Sequence, residues 1–339
     1  MTPDLAPAPP PRPPLLGVCQ WFHYEAFEDV EAAIALMRDL GVRHLRTGIS
    51  WADYHRPGGK AWYDWQMAEL QRAGMDVLLS VWHTPPSLAV APRCAAPPRR
   101  LEDYAEFVAQ VIIQYGDTFS EIELWNEPNN LYKWDFETFD PDWRKFATMV
   151  GGAARAARRL GKRTVLGGMM PVDPSWLALV EGHGALSDVD VVAIHSFPQM
   201  WWEGAPSWDD ADRWNGWGHK VASIAAGSSG RPIWVSETGF ATWDRLLERP
   251  ARHAQQVRLL EAAVHAPAER VYWYSLVDLH PDREAIEGFH VDEHEYHLGL
   301  VTYDGTKKPA YARFKQLLRA ANAEPAETET ARAEVDRPR

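Results

Sequence analysis

Eight short apolar segments alternate with helical segments along the chain, and this alternation is what most constrains the fold. Pro85 and Pro128 stop two of the apolar segments, because proline has no N–H to give to a β-ladder. Helical periodicity is clearest in residues 29–40, and regular strand–helix alternation predicts parallel strands covered by helices. The predicted strands are residues 15–21, 44–51, 76–83, a fourth that ends near Leu124, 163–169, 189–197, 232–240 and 271–279.

Eight strands separated by helices favour a single barrel over an open sheet. The chain has 339 residues, 46% of them apolar, which is enough material for one barrel-sized core. An open doubly wound sheet needs a glycine-rich phosphate turn after its first strand, and residues 18–21 (Val-Cys-Gln-Trp) offer none. We therefore predict an α/β fold, a (β/α)8 TIM barrel in one domain over residues 15–320. A proline-rich segment, 1–14, and a polar tail, 321–339, are predicted to be disordered.

Two glutamates stand at the ends of two of these strands. In residues 124–129 (Leu-Trp-Asn-Glu-Pro-Asn) the proline stops the fourth strand and leaves Glu127 at its mouth. In residues 233–239 (Ile-Trp-Val-Ser-Glu-Thr-Gly) Glu237 ends the seventh strand. The C-terminal ends of the strands carry the chemistry in barrels of this type. Two carboxylates there predict acid–base or nucleophilic work on a bond held between them.

Cleavage of a glycosidic bond requires two carboxyl groups in different protonation states. One must protonate the leaving oxygen while the other faces the anomeric carbon as an anion. Trp125 and its apolar neighbours would help to hold Glu127 neutral, and a cation such as Arg46 would keep Glu237 charged. Asn126 can donate a hydrogen bond to a hydroxyl or a carboxylate without titrating itself.

The two glutamate motifs resemble those of clan A of the glycoside hydrolases. Members of that clan are (β/α)8 retaining enzymes, with the acid/base on the fourth strand and the nucleophile on the seventh. The Trp-Asn-Glu-Pro-Asn form is most similar to family 39, the xylosidase-like and exopolysaccharide glycosidases, and the resemblance covers roughly residues 15–320. It implies that Glu127 is the acid/base and Glu237 the nucleophile in retaining hydrolysis of an oligo- or polysaccharide.

The resemblance also implies residues that bind the substrate. Asn126 would hydrogen-bond the sugar 2-hydroxyl, Arg46 would hold the nucleophile ionised, and His83 and His195 would contact the sugar. One position departs from the clan's pattern. Phe197 stands where many members carry a tyrosine on the sixth strand, and it has no hydroxyl to offer the nucleophile.

Tryptophan is unusually frequent, with 17 in the chain, and some of these residues are candidates for sugar stacking. Flat aromatic faces suit the apolar C–H faces of pyranose rings, and binding residues are often found on loops. Trp273 in the eighth strand is a candidate for substrate contact, with core packing as the alternative. A cluster in the connection after the sixth strand is predicted to form a stacking wall, with filling of a long loop as its alternative: Trp201, Trp202, Trp208, Trp214 and Trp217.

Composition argues against several other classes of function. The net charge of −12 and the lack of a basic run argue against a nucleic-acid partner. The sequence also contains no apolar run of 18 residues, the length that a membrane-spanning helix needs. Two cysteines do not make a disulfide framework. No secretory signal is visible, so a cytoplasmic location is expected. The histidines and acids of residues 278–297 match no metal-ligand spacing, so we predict no metal and no cofactor.

Two alternatives to a glycosidase follow from the same residues. A non-catalytic saccharide-binding barrel, still with a carbohydrate partner, is supported by the missing hydroxyl at Phe197. An aldolase or a phosphate-handling barrel would require a strand-end lysine or a glycine-rich turn after the seventh or eighth strand. No lysine lies within the eight predicted strands, and residues 237–239 (Glu-Thr-Gly) make a poor phosphate turn.

Overall fold

Eight parallel strands pair in sequence order, and the last pairs with the first to close a barrel. The computed structural model describes residues 13–197, 216–243, 249–282 and 293–323. The predicted (β/α)8 barrel is confirmed. The strands are β1 (Leu15–Cys19), β2 (His44–Ser50), β3 (Asp76–Trp82), β4 (Glu121–Leu124), β5 (Arg163–Met169), β6 (Val191–His195), β7 (Ile233–Thr238) and β8 (Arg270–Tyr274).

Helices fill the connections between the strands and pack on the outside of the barrel. They follow the periodicity of the sequence: α1 buries Val30, Ile34, Met37 and Leu40 against the sheet. No described helix is both long and apolar enough to cross a membrane. The helices are α1 (Phe27–Leu40), α2 (Trp51–Tyr54), α3 (Gly59–Arg72), α4 (Glu102–Tyr115), α5 (Phe136–Phe139), α6 (Arg144–Arg159), α7 (Pro174–Gly182), α8 (Trp217–Ala225), α9 (Arg249–Ala263) and α10 (Pro309–Ala323).

Several boundaries differ from the predicted ones because the apolar pattern continues past the last ladder hydrogen bond. β1 ends at Cys19, β6 at His195 and β8 at Tyr274, while the apolar residues that follow are buried in the rim instead. At the other end of the chain α10 runs to Ala323, so residues 321–323 are helical rather than part of a disordered tail.

Side chains fill the interior of the barrel, and two layers of it are polar. Near the N-terminal rim, Arg270 donates to Glu121 across the barrel at 2.7 Å, and the ring of Tyr272 lies against Gly17. Nearer the C-terminal rim, Arg46 of β2 is completely buried among polar side chains. Because side chains alternate along each strand, the residues between these positions face the helices and form the apolar outer layer.

Gly17 leaves the space that the ring of Tyr272 occupies, so a methyl group there should be costly. A Cβ at Gly17 would lie 2.6 Å from Tyr272 Cδ1 and 2.8 Å from the backbone oxygen of His44. We expect Gly17→Ala to lower the free energy of unfolding by about 1–3 kcal/mol. Chemical denaturation would measure the loss. Gly152→Ala in α6 is the control, because its Cβ would meet nothing closer than 3.9 Å, and helix propensity there favours alanine. Equal stability in the two variants would contradict the prediction.

Candidate active site

The turn after β4 holds Glu127 at the C-terminal rim. Trp125 and Glu127 both adopt positive φ angles, 73° and 45°, which non-glycine residues rarely do. The buried side chain of Trp125 fixes the turn, because its Nε1 donates to the backbone oxygen of Lys133 at 3.2 Å. The Asn130 N–H also donates to the Glu127 carbonyl at 2.9 Å. Such strain persists only where packing over-determines it, as the buried indole does here.

Arg46 joins β2 to the ends of β4 and β7. Its Nε donates to Glu123 Oε2 at 2.8 Å, its Nη1 contacts Glu237 Oε1, and its Nη2 donates to Asn126 Oδ1 at 2.8 Å. Burial alone would lower the pKa of Arg46, but the charges of Glu123 and Glu237 raise it well above its ordinary value. A guanidinium that is always charged favours the ionised form of the carboxylates it touches.

Glu127 lies close to Glu237 but in different surroundings. A carboxylate oxygen of each lies within 4.8 Å of the other, and the side chain of Glu127 is the more exposed, at 15% against 8%. Burial raises the pKa of Glu127, but the hydrogen bond and charge of His195, the charge of Lys133 and a bond from Asn130 hold it below its ordinary value. The expectation that apolar neighbours keep Glu127 neutral is therefore not met, because hydrogen bonding outweighs burial.

His195 contacts the two glutamates rather than an open cleft. Its Nδ1 lies 2.9 Å from Glu127 Oε1 and 3.5 Å from Glu237 Oε2, and the residue is completely buried. The other edge of the imidazole lies against Gly168 of β5, where any Cβ would overlap the ring. The predicted sugar contact is thus corrected, because Nδ1 is turned to the carboxylates and Nε2 to the sheet.

His83 and Trp273 are two further residues that were predicted to contact the substrate. His83 follows β3 with a φ of 66° and packs on the Trp82 ring. Burial and the charge of Lys133 lower the pKa of His83 to about 3, so the side chain is neutral at pH 7. Trp273 is 1% exposed and lies on the opposite face of β8 from Tyr272 and Tyr274. The structure therefore places Trp273 in the hydrophobic core, as the core-packing alternative requires.

The predicted stacking wall falls mostly outside the described residues. Trp201 and Trp202, together with Trp208 and Trp214, belong to residues 198–215, and Trp201 and Trp202 remain predictions as substrate contacts. Trp217 is buried at the start of α8, as the core-filling alternative requires. Phe197 packs with Tyr274, Ala241 and Leu298 beside the site.

Sequence reasoning missed several residues that the barrel brings to the site. Glu123 shares Arg46 with Glu237, and Cys19 of β1 lies 3.4 Å from Arg46 Nη1. Burial raises the pKa of the Cys19 thiol, so it stays protonated. The sequence signal that could have revealed them was a pair of charged residues in the middle of buried strands, Arg46 in β2 and Glu123 in β4.

Two tryptophans complete the rim: Trp21 lies under the guanidinium of Arg46, and Trp82 packs edge-on against Trp21 with ring centroids 4.6 Å apart.

Among the described residues, one group offers three ligand atoms to a metal ion: Glu127, His195 and Glu237. The arrangement suits hydrogen bonding better than a cation. The guanidinium of Arg46 already touches Glu237, and the charge of Lys133 reaches Glu127. A metal-bound histidine also normally donates its second N–H to a carboxylate or carbonyl, and His195 Nε2 has no such partner in the described part of the chain. Elsewhere, Asp278, the first of the histidines and acids of residues 278–297, forms an ion pair with Lys308 at 2.8 Å.

Several solved structures with a similar fold are glycoside hydrolases. A family 39 glycoside hydrolase from Bacteroides cellulosilyticus is 18% identical, with a TM-score of 0.60 over 90% of this chain and 63% of that one. A β-galactosidase from Marinomonas ef1 is 16% identical, with a TM-score of 0.63 over 91% and 59%. A GH5_18 protein from Bifidobacterium longum, in complex with Manb1-4GlcNAc, is 16% identical, with a TM-score of 0.69 over 93% and 80%.

These likenesses establish the fold and nothing finer, because each identity is below one fifth. The chain spans about three fifths of the length of the first two proteins. No family model and no curated protein sequence matches it. Residue roles therefore rest on the geometry of the site itself.

Arg46 neutralises buried carboxylates, so its removal should destabilise the barrel in a pH-dependent way. We expect Arg46→Met to lower the free energy of unfolding by about 3–5 kcal/mol at neutral pH. Without the guanidinium the buried carboxylates are uncompensated when ionised, and protonation at low pH relieves that cost, so the loss should grow as pH rises from 5 to 7.5. Denaturant titrations at several pH values would measure this.

Arg163→Met provides the control, because Arg163 forms a half-exposed ion pair with Glu269 at 3.3 Å. Its cost should be about 1 kcal/mol or less and should depend little on pH. A loss for Arg46→Met that is the same at pH 5 and pH 7.5 would count against uncompensated carboxylates as the cause.

Proposed function

We propose that the protein is a retaining glycoside hydrolase, an O-glycosyl hydrolase that acts on an oligo- or polysaccharide by double displacement. One observation carries this proposal: at the C-terminal rim of the barrel, one carboxylate oxygen of Glu127 lies within 4.8 Å of one of Glu237. Retaining glycosidases hold their carboxyl groups about 5–5.5 Å apart, whereas inverting ones leave roughly 6.5–9.5 Å for a water molecule. The close pair supports direct attack by one carboxylate.

The surroundings of the two glutamates support different roles. Glu237 touches the permanently charged Arg46, which suits an anionic nucleophile facing the anomeric carbon. Glu127 is more exposed and stands on a turn at the mouth of the barrel, where it can reach a leaving group. Because Arg46 donates to Asn126 Oδ1, the amide nitrogen of Asn126 remains the donor for a sugar hydroxyl. Burial holds that amide in place.

The reaction then proceeds in two steps. Glu237 attacks the anomeric carbon while Glu127 gives its proton to the departing oxygen, and a covalent glycosyl–enzyme forms. Glu127, now ionised, takes a proton from water, which attacks the same carbon and releases Glu237. Two inversions leave the configuration unchanged. The neighbours include a β-galactosidase and a protein bound to Manb1-4GlcNAc, which supports a carbohydrate substrate as a class.

A non-catalytic saccharide-binding barrel is the second candidate. Two observations favour it: the pKa of Glu127 lies below its ordinary value, which favours the ionised form that has no proton to give, and Phe197 gives the nucleophile no hydroxyl. Such a protein would bind oligosaccharides without turning them over, so binding without hydrolysis on a broad set of substrates would favour this candidate.

Hydrolysis should depend on Glu237. On a panel of chromogenic glycosides, oligosaccharides and polysaccharides, we expect the wild type to cleave at least one substrate and Glu237→Gln to lose at least about a thousandfold in kcat. Polysaccharides belong in the panel because an endo-acting enzyme ignores short glycosides. Glu106→Gln, on the exposed face of α4, should match the wild type. Full activity in Glu237→Gln would rule out its role as nucleophile.

Azide should distinguish the two glutamates by the configuration of the product. In Glu237→Ala, azide can enter the space left by the nucleophile and attack once, so the glycosyl azide should have the inverted configuration. In Glu127→Ala the covalent intermediate still forms from an activated aryl glycoside, and azide should resolve it with the original configuration. NMR of the two products measures this. The opposite pairing of variants and configurations would mean that the two roles are reversed.

A further inference from the structure

The Nδ1 atom of His195 is directed at both glutamates at once. It lies 2.9 Å from Glu127 Oε1 and 3.5 Å from Glu237 Oε2, and no part of the residue is exposed. One nitrogen carries at most one hydrogen, so a bond to one carboxylate weakens the bond to the other. The two glutamates therefore compete for a single donor.

The barrel is shaped to hold the imidazole in this place. Gly168 of β5 leaves room for the ring, and the N–H of Gly168 is itself directed at Glu123 Oε1 at 3.3 Å. In the described part of the chain, Nε2 has no hydrogen-bonding partner. A histidine that only filled the core would not need its one hydrogen-bonded nitrogen, Nδ1, to lie between two carboxylates.

We propose that His195 couples the charge of Glu237 to the proton affinity of Glu127, and so helps Glu127 to change from acid to base between the two steps of the reaction. This inference rests on the proposed function, because it assigns a positioning role within the same site. His195 acts through the two glutamates and transfers no proton to the substrate.

In the free enzyme both acceptors compete for the donor. Glu237 is an anion 3.5 Å from Nδ1, so it draws on the same N–H and weakens the 2.9 Å bond that favours the ionised form of Glu127. Nothing is oxidised or reduced, and the imidazole keeps its hydrogen throughout.

In the covalent intermediate only one charged acceptor remains. Glu237 is then an ester, which carries no charge and accepts a hydrogen bond more weakly. The Nδ1–H turns to Glu127 alone and stabilises its carboxylate, which is the form that takes a proton from water. Formation of the ester removes the charge of Glu237, and this change prepares Glu127 to act as the base in the second step.

Other charged and polar groups face the two glutamates from neighbouring elements. Arg46 faces Glu237 from β2, and Glu123 faces Arg46 from β4. Lys133 acts on Glu127 from the loop after β4, and the buried Cys19 thiol of β1 lies 3.8 Å from Glu237 Oε1. Phe197, two residues beyond His195, offers Glu237 no hydroxyl, so the imidazole is the donor that β6 provides.

A four-variant cycle tests the coupling without relying on turnover. Glu237→Gln imitates the ester because it removes the charge of the nucleophile and keeps its shape. Protein labelled with 13C at glutamate carboxyls would give the titration midpoint of Glu127 in the wild type, Glu237→Gln, His195→Leu and the double variant. Glu127→Gln identifies the signal.

We expect His195→Leu to raise the Glu127 midpoint by about one pH unit, because a donor to its charged form is lost. Glu237→Gln should lower the midpoint, and this lowering should be clearly smaller when His195 is absent. His195→Asn, whose amide can donate from nearly the same place as Nδ1, should restore most of the coupling. An effect of Glu237→Gln that is equal with and without His195 would overturn the inference.

Two further measurements keep the result unambiguous. If His195→Leu does not fold, Gly168→Ala replaces it in the cycle, since its Cβ must push the imidazole away while His195 itself remains. Glycoside turnover is measured on the same samples. Coupling in a wild type that hydrolyses nothing would overturn the proposed function, whereas turnover with no coupling would overturn only the role of His195.

Discussion

The site depends on one buried guanidinium. Arg46 lies inside the barrel with no exposed surface, and its three nitrogens reach Glu123, Glu237 and Asn126. A buried charge without partners is very unfavourable, so these contacts are a condition of folding as much as of chemistry. The same contacts determine which way Glu237 and Asn126 point. Stability and function therefore constrain Arg46 together.

Pairing of neighbouring barrel strands places His195, which Arg46 does not contact, beside the two glutamates. Pairing of β5 with β6 brings Gly168 and His195 together, and β6 lies beside β7, which carries Glu237. The imidazole thereby reaches a carboxylate of the neighbouring strand and another from the turn after β4. The contact between His195 and Glu127 joins residues 68 apart in the sequence, so it requires β4, β5 and β6 to be assembled.

The fold and the two glutamates were predictable from sequence because they depend on local patterns. Strand–helix alternation gave the barrel, and the position of Glu127 and Glu237 after apolar segments put both at one rim. The contacts of His195 were not predictable, because they depend on which face of β6 it occupies and on the space that Gly168 leaves. For Trp273 the sequence left both substrate contact and core packing open for a similar reason, because aromatic character does not reveal which side of a strand faces the barrel interior.

The two carboxylates differ in how firmly the backbone holds them. Glu237 lies within β7, hydrogen-bonded between two neighbouring strands, whereas Glu127 stands on a turn of left-handed backbone outside β4. Strands and turns tolerate insertions very differently. Under the proposed function, changes in the length or composition of the β4 turn would therefore move the proton donor while leaving the nucleophile in place. The two sides of the proposed reaction could thus be altered separately, the leaving-group side through a turn and the side that holds Glu237 only through the barrel itself.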